Sequence, residues 1–170
     1  MTYPVRPIDI QIWRMIAPAH QRSPLSGEGA RLHGGRWNLK GWPAHYSALD
    51  PVTAVAEYYQ GLARPGMLAP YRVRADRIAD LTDGQGGPAD AAIAAALDAQ
   101  WKVIARIDGR VPPGWEIVQP LMAAGVQGAL VPSLQNRGGT ALVLWQWDGA
   151  GEAGSVACLT LIDPDGTLPG

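Results

Sequence analysis

The chain has 170 residues, enough for one domain with a buried core, and its 14 basic and 15 acidic side chains leave a formal charge of −1. This balance argues against direct binding of nucleic acid, and since the sequence contains neither a membrane-spanning apolar stretch nor a secretion signal, we expect a cytoplasmic protein. The single cysteine, Cys158, lies in an apolar run, where we expect it to be buried, and a single cysteine excludes an internal disulfide. The three histidines lack metal-ligand spacing, so we expect no bound metal.

The first half of the chain alternates short extended segments with one well-marked helix. Residues 9–16 alternate apolar and polar side chains and predict a strand. Residues 17–35 are rich in Pro, Gly, Ser and charge, and they predict a long loop. A short strand is expected at 44–48. Asp50-Pro51 then supplies an N-cap and a first helical residue, which predicts a helix to about Leu62.

The second half predicts the rest of a sheet and two more helices. An alanine-rich segment at 89–106 has its large apolar side chains at helical spacing, and Pro112-Pro113 opens a helix to about Ala124. The remaining strands are expected at 68–75, 78–81, 126–131, 141–147 and 156–162. This order predicts an α+β fold with a central mixed β-sheet and surrounding helices, in one domain over residues 1–170 with its core at about 10–162.

Residues 34–57 concentrate side chains that suit an anionic, ring-bearing ligand. Arg36 follows Gly34-Gly35, which permits a sharp turn and lets the arginine reach phosphate oxygens; a surface arginine after a turn is an equally good interpretation. Tyr46 lies between small residues in a predicted strand and has room to stack on a planar ligand. The commoner outcome for such a tyrosine is a half-buried core residue.

Three further residues are candidates. Glu57 lies among apolar and aromatic helix neighbours, either on a solvated face or aimed into a cleft, where a carboxylate beside an arginine could stabilise a developing cation. Arg14 lies in the first predicted strand and needs an anionic partner there, either Glu57 or a ligand phosphate. Ser133 follows Val131-Pro132 at a predicted strand end, where it could orient a ligand or simply end the strand. No histidine near it in sequence supports a hydrolase triad.

These residues, in this order, resemble a known family. The resemblance covers residues 10 to 147 and is carried by Trp13-Arg14, Gly35-Arg36-Trp37-Asn38, Gly41-x-Pro43, Tyr46-Ser47, Ala54-x-x-Glu57 and Val131-Pro132-Ser133. It is to the RES domain, named for its Arg, Glu and Ser. The resemblance implies a toxin of a bacterial toxin–antitoxin pair, held in a hetero-oligomer by a cognate helix-turn-helix (Xre-like) antitoxin.

The resemblance also implies a fold similar to the diphtheria-toxin-like ADP-ribosyltransferases, with NAD as the substrate. Glu57 would stabilise the ribosyl oxocarbenium ion, Arg36 would hold the pyrophosphate or ribose, and Tyr46 would stack on the nicotinamide-ribose end. The other NAD-binding residues would be Arg14, Arg31 and Ser133. Whether NAD is degraded or its ADP-ribose is transferred to a protein target stays open, as does the arginine that contacts the pyrophosphate. A non-catalytic nucleotide- or partner-binding module is the competing hypothesis.

Overall fold

A six-stranded sheet with helices packed against it forms the part of the chain that this computed structural model describes, residues 2–150 and 156–168. The strands are β1 (Val5–Ile16), β2 (His45–Ala48), β3 (Met67–Asp80), β4 (Gly128–Pro132), β5 (Thr140–Leu144) and β6 (Cys158–Leu161). The helices are α1 (Glu28–His33), α2 (Pro51–Tyr59), α3 (Ala91–Asp98), α4 (Trp101–Arg106) and α5 (Pro113–Ala123), with short 3₁₀ helices at Pro18–His20 and Asp148–Ala150. The predicted α+β fold class is confirmed.

The strand order is β1-β2-β5-β4-β3-β6, and β1 also pairs with β3. The strands β1, β2, β5, β4 and β3 therefore form a closed circuit, with β6 added along β3. Only the β3–β4 pair is parallel among the described strands, so the sheet is mixed, as predicted. None of the described helices is long and apolar enough to cross a membrane.

Two apolar clusters lie on opposite faces of the central strands. In β4, Leu130 packs in one cluster with Ile12 and Tyr71, whereas the adjacent Ala129 and Val131 pack in the other. This alternation follows from the period of two along a strand. Both faces of β4 are buried, so its side chains are apolar. Polar residues begin after Pro132, where the strand ends.

The predicted loop at 17–35 is wrong in part, because it contains α1 and the 3₁₀ helix at Pro18–His20. Helix α1 has no buried residue and therefore no apolar stripe for a sequence pattern to detect. It is held locally, by a bond from the Glu28 amide to the Ser26 hydroxyl and by the Glu28–Arg31 ion pair. It ends at Gly34, whose φ of +70° suits glycine.

The two predicted strands at 68–75 and 78–81 are one strand, β3. Its pairing with β1 shifts register between Arg6 and Ile8. At the corresponding point of β3, the side-chain oxygen of Gln127 accepts hydrogen bonds from the amides of Asp76 (2.8 Å) and Arg77 (3.0 Å). The amides of Asp76 and Arg77 are therefore hydrogen-bonded despite the register shift, and β3 continues through it.

The helix predicted at 89–106 is two helices, α3 and α4. In a continuous helix the Ala96 carbonyl would accept a bond from the amide four residues later. Here it accepts the Arg36 guanidinium instead, at 2.7 Å, and Ala99 is extended. A side chain 60 residues away therefore marks the end of α3.

The expected burial of Cys158 is also wrong. Cys158 is exposed on β6, which pairs only with β3 among the described strands. The inward position of this strand goes to Leu159, which is 3% exposed. An edge strand buries every second side chain, and Cys158 lies on the outer set.

Candidate active site

A cavity of about 820 Å³ opens between helices α1 to α4 and the strands β1, β2 and β4. Its wall includes Arg36, Tyr46 and Glu57 from the segment 34–57, together with Arg14 of β1. The charged residues of the wall are the cations Arg14, Arg36, Arg64, Lys102 and Arg106 and a single carboxylate, that of Glu57. A chain of net charge −1 therefore has a cavity with an excess of positive charge.

Glu57 reaches the cavity from α2. The helix begins as predicted, because the Asp50 side chain accepts a bond from the Thr53 amide at 2.8 Å. It ends at Tyr59, earlier than predicted, since Gln60 takes a left-handed conformation with φ of 48°. One carboxylate oxygen of Glu57 accepts a bond from the Ser133 hydroxyl at 2.5 Å and from the Gln135 amide at 3.3 Å. Within residues 2–150 and 156–168 the second oxygen, Oε2, has no hydrogen bond.

Ser133 follows β4, is buried at 7% exposure, and donates a hydrogen bond to the carboxylate of Glu57. Its hydroxyl also accepts a bond from the Asn136 amide at 3.0 Å, which sets the direction of the hydroxyl proton. The Asn136 side chain donates to the Thr53 hydroxyl at 2.8 Å. The loop after β4 is thus fastened to the first turn of α2.

Arg36 follows the turn at Gly34-Gly35, and its guanidinium is held by carbonyl groups. Nη1 donates to the carbonyls of Ala96 (2.7 Å) and Ala99 (2.8 Å), at the end of α3 where the helix dipole favours a cation. Partial burial lowers the pKa of Arg36, and the charge of Glu57 opposes this shift. Nε and Nη2 have no hydrogen bond in the described chain and remain available to an anion.

Tyr46 lies in β2 with its hydroxyl fully engaged. It donates to Asn38 Oδ1 at 2.7 Å and accepts a bond from the Trp37 amide at 3.1 Å. Burial raises the pKa of Tyr46, so the hydroxyl stays neutral. The hydroxyl therefore anchors the turn that carries Arg36, and only the ring is left to contact a ligand.

Two residues beside Tyr46 support the site in ways the sequence did not reveal. Asn38 is fully buried, and its amide donates to the carbonyls of Ala30, Leu39 and Trp42 while its oxygen holds Tyr46. A Cβ on Gly35 would lie 2.4 Å from the Tyr46 hydroxyl oxygen and from Asn38 Oδ1. The close packing at this position therefore requires glycine, in addition to the turn that the sequence predicts.

Arg14 lines the cavity and is not bonded to Glu57, one of the two anionic partners expected for it. Its Nη1 donates instead to the carbonyls of Pro24 (3.3 Å) and Ser26 (3.2 Å). Burial lowers the pKa of Arg14. The loop that precedes α1 supplies these carbonyls, so the arginine is satisfied without a carboxylate.

Two predicted site residues are absent from the cavity lining: Ser133, which bonds the lining residue Glu57, and Arg31, which bonds no predicted site residue in the described chain. Arg31 lies on the exposed side of α1 and donates to Glu28 Oε2 at 2.8 Å, and its side chain is 42% exposed. Because Glu28 neutralises its charge, Arg31 differs from the lining arginines.

Sequence patterns did not identify Arg64, Trp101, Lys102 and Arg106 as cavity residues. Trp101 carried a signal, but its helical spacing suggested the core of one long helix. Arg64 follows α2 and donates to the Tyr58 carbonyl at 2.6 Å. Arg106 donates to the His33 carbonyl at 3.2 Å. Both cations thus reach the cavity through contacts that no local pattern indicates.

The described residues contain no group of three or more His, Cys, Asp or Glu side chains that could hold a metal ion.

A family model described as the RES domain matches residues 11–165. No curated protein matches the sequence. Among solved structures, a chain in the crystal structure of the M. tuberculosis MbcT-MbcA toxin–antitoxin complex is similar, with a TM-score of 0.58 at 20% identity. The match covers 94% of this chain and 84% of that one. At this identity the similarity shows a common fold.

Proposed function

Because the chain belongs to the RES domain family, we propose that it is the toxin of a bacterial toxin–antitoxin pair and cleaves the nicotinamide–ribose bond of NAD. The observation that carries this proposal is the Glu57 carboxylate, held by neutral donors in a cavity whose other charged residues are cations. Such a cavity suits a ligand with a phosphate part and a part that develops positive charge.

The charge of the cavity supports a dinucleotide. Arg36 offers Nε and Nη2 to a pyrophosphate, since its Nη1 is already bonded to two carbonyls. Tyr46 offers a ring face to the nicotinamide-ribose end, because its hydroxyl is bonded elsewhere. Arg14 is a further residue of the wall, whereas Ser133 is not among the lining residues and acts through its bond to Glu57.

The chemistry follows from the bond that breaks. When the nicotinamide–ribose bond cleaves, its electron pair goes to the ring nitrogen, so that nicotinamide leaves as a neutral molecule. The ribose is left with positive charge shared between its C1 and its ring oxygen. A fixed carboxylate stabilises this charge more in the transition state than in the ground state. No strong general acid is required.

Ser133 and the Gln135 amide orient the Glu57 carboxylate for that role. Both bond Oε1, which leaves Oε2 to face the ribose or accept bonds from its hydroxyls. An orientation that is set before reaction costs no reorganisation when the charge develops. Ser133 is a positioning residue in this mechanism, and it is not a nucleophile.

The ribosyl cation can be captured in two ways. An oxygen of water or phosphate can form the new bond to C1, which depletes NAD. A protein side chain can form that bond instead, which transfers ADP-ribose to a target. Water or a hydroxyl or amine side chain gives up a proton when it forms this bond, whereas an anionic phosphate oxygen or a carboxylate forms it without losing one. The second product identifies the acceptor.

We further propose that a cognate helix-turn-helix antitoxin neutralises the toxin by inserting a segment into the cavity. The similar solved structure is described as a toxin–antitoxin complex, which supports a partner of this kind. Co-purification with a small DNA-binding protein that abolishes NAD turnover is the expected result. A free, active monomer in cells that also contain the antitoxin would contradict it.

The test of the reaction is nicotinamide release from NAD by the purified chain, followed by chromatography. We expect Glu57→Gln to lower kcat/KM by about 10²–10³. Glu116→Gln is the matched control, since Glu116 lies on α5 and outside the cavity lining. If the wild type releases no nicotinamide, even with cell lysate as a source of acceptors, the competing hypothesis of a non-catalytic binding module replaces this one.

A further inference from the structure

Helix α4 places an aromatic ring and two cations together on the cavity wall. Lys102 Nζ lies 5.8 Å and Arg106 Cζ lies 5.5 Å from the centre of the Trp101 ring. All three residues line the cavity. The chemistry assigned to Glu57 uses none of them.

The position of α4 relates this group to Arg36. The Ala99 carbonyl, which accepts a bond from Arg36, lies two residues before Trp101. At its other end, α4 is tied to α1 by the bond from Arg106 to the His33 carbonyl. Helix α4 is therefore fastened beside the turn that presents Arg36, whereas Glu57 is held by α2 and the loop after β4.

Neither of the two cations is paired with a carboxylate of the described residues. Within residues 2–150 and 156–168, the ion-paired arginines are Arg6, Arg31, Arg72, Arg74 and Arg110, and none of these lines the cavity. Arg106 is held by a carbonyl, which satisfies an N–H group and leaves the charge in place. The positive charge beside Trp101 is therefore available to an anionic ligand.

A flat aromatic ring flanked by cations suits a nucleobase that is joined to phosphates. Bases stack on aromatic side chains, and arginine and lysine bind phosphate oxygens. We propose that Trp101, Lys102 and Arg106 form the subsite for the adenosine diphosphate half of the dinucleotide, with the adenine on Trp101 and the phosphates on the two cations. This proposal rests on the proposed function for the identity of the whole substrate, but the subsite can be tested without turnover.

The first test is direct binding of ADP, measured by titration calorimetry on the full chain. Trp101→Ala is expected to weaken binding about tenfold, as loss of one stacked base does. Trp42→Ala is the matched control, because Trp42 is 51% exposed and lies outside the cavity lining. Lys102→Gln and Arg106→Gln are expected to weaken binding severalfold, with Arg110→Gln as their control.

The variants Lys102→Gln and Arg106→Gln keep the test decisive if Trp101→Ala does not fold, since both side chains are exposed. Equal ADP affinity in the wild type and these variants would overturn the proposal. Failure of the folded wild type to bind ADP would overturn it as well.

The second test compares substrates of different length. If the chain releases nicotinamide from both NAD and nicotinamide mononucleotide, Trp101→Ala should raise KM for NAD and leave KM for the mononucleotide unchanged. An equal rise for both would overturn the subsite while the proposed reaction stands. If neither substrate is turned over but ADP binding depends on Trp101, Lys102 and Arg106, the proposed reaction is refuted and the proposed subsite is supported.

Discussion

Charged side chains have different partners in the cavity wall and on the outer face of the β1–β3 pair. On the outer face, the carboxylate of Asp9 accepts Arg72 at 2.6 Å and lies 3.8 Å from Arg74, and all three side chains are at least half exposed. In the cavity, Arg36 is bonded to carbonyls and Glu57 to a hydroxyl and an amide.

The difference shows how a fold keeps charge available for a ligand. An ion pair satisfies hydrogen bonds and cancels charge, whereas a carbonyl or hydroxyl partner satisfies the hydrogen bond and leaves the charge uncancelled. The type of partner therefore separates the two regions, although arginine is common in both.

After that of Glu57→Gln, the largest effect should come from Arg36. We expect Arg36→Gln to raise KM for NAD about 10- to 100-fold, because it loses charged hydrogen bonds of about 1.5–3 kcal/mol to the substrate. Arg72→Gln should leave KM unchanged, since its exposed ion pair with Asp9 contributes at most about 1 kcal/mol to stability. Steady-state kinetics of both variants measure this, and thermal unfolding checks that each is folded. Similar KM values for the two variants would contradict the proposed difference between the cavity arginine and the ion-paired arginine.

The next effect concerns the packing of the turn that carries Arg36. Gly35→Ala should lower the free energy of unfolding by about 1–3 kcal/mol, because a Cβ there meets the Tyr46 hydroxyl and Asn38. Gly29→Ala is the control, since a Cβ at this position in α1 has no atom within 4 Å. Urea unfolding measures both. Equal stability of the two variants would show that the turn yields easily.

A smaller effect is expected from the neutral partner of Glu57. Ser133→Ala should lower kcat for nicotinamide release about tenfold, the effect of one hydrogen bond of about 1.4 kcal/mol to a charged group. KM should change little, because Ser133 acts through the carboxylate. Thr82→Val removes a hydroxyl that bonds Asp80 and lies outside the cavity lining, and it should leave kcat unchanged. An unchanged kcat in Ser133→Ala would mean that Glu57 needs no orientation.

The smallest effect follows from the burial of His45, to which the charge of Arg14 adds. Burial and this neighbouring charge lower the pKa of His45 well below its ordinary value, so His45 is neutral in the fold. Below pH ~6.5 the unfolded chain binds a proton at His45 that the folded chain does not. Stability should therefore fall with pH below ~6.5, by up to about 1.4 kcal/mol per pH unit from this group.

His45→Phe is the variant for this prediction, because the His45 ring packs edge-on against Tyr71 and Trp147. Urea unfolding between pH 7.5 and 5.5 should show a flatter dependence in the variant than in the wild type. His20→Gln, at an exposed position, should keep the wild-type slope. Equal slopes in all three proteins would refute the assignment.

Much of the fold could be predicted from local patterns. The alternation in β1 and the Asp50 cap of α2 both depend on residues a few positions apart, and both are present. The end of α3 could not be predicted, because the carbonyl of Ala96 is bonded by Arg36 from 60 positions away. The partners of Arg14 were also unpredictable, since carbonyls carry no side-chain signal.

The candidate site, too, could be predicted from the sequence only in part. By itself the sequence determined which side chains could carry charge and stacking: Arg14, Arg36, Tyr46 and Glu57, all of which line the cavity. Only the tertiary structure decided that Arg31 is paired outside it, and that Ser133 bonds Glu57 across 76 residues. It also brought Trp101, Lys102 and Arg106 to the wall. The physical reason is that propensity, capping and alternation act over a few residues, whereas hydrogen-bond partners and uncancelled charge depend on which distant segments pack together.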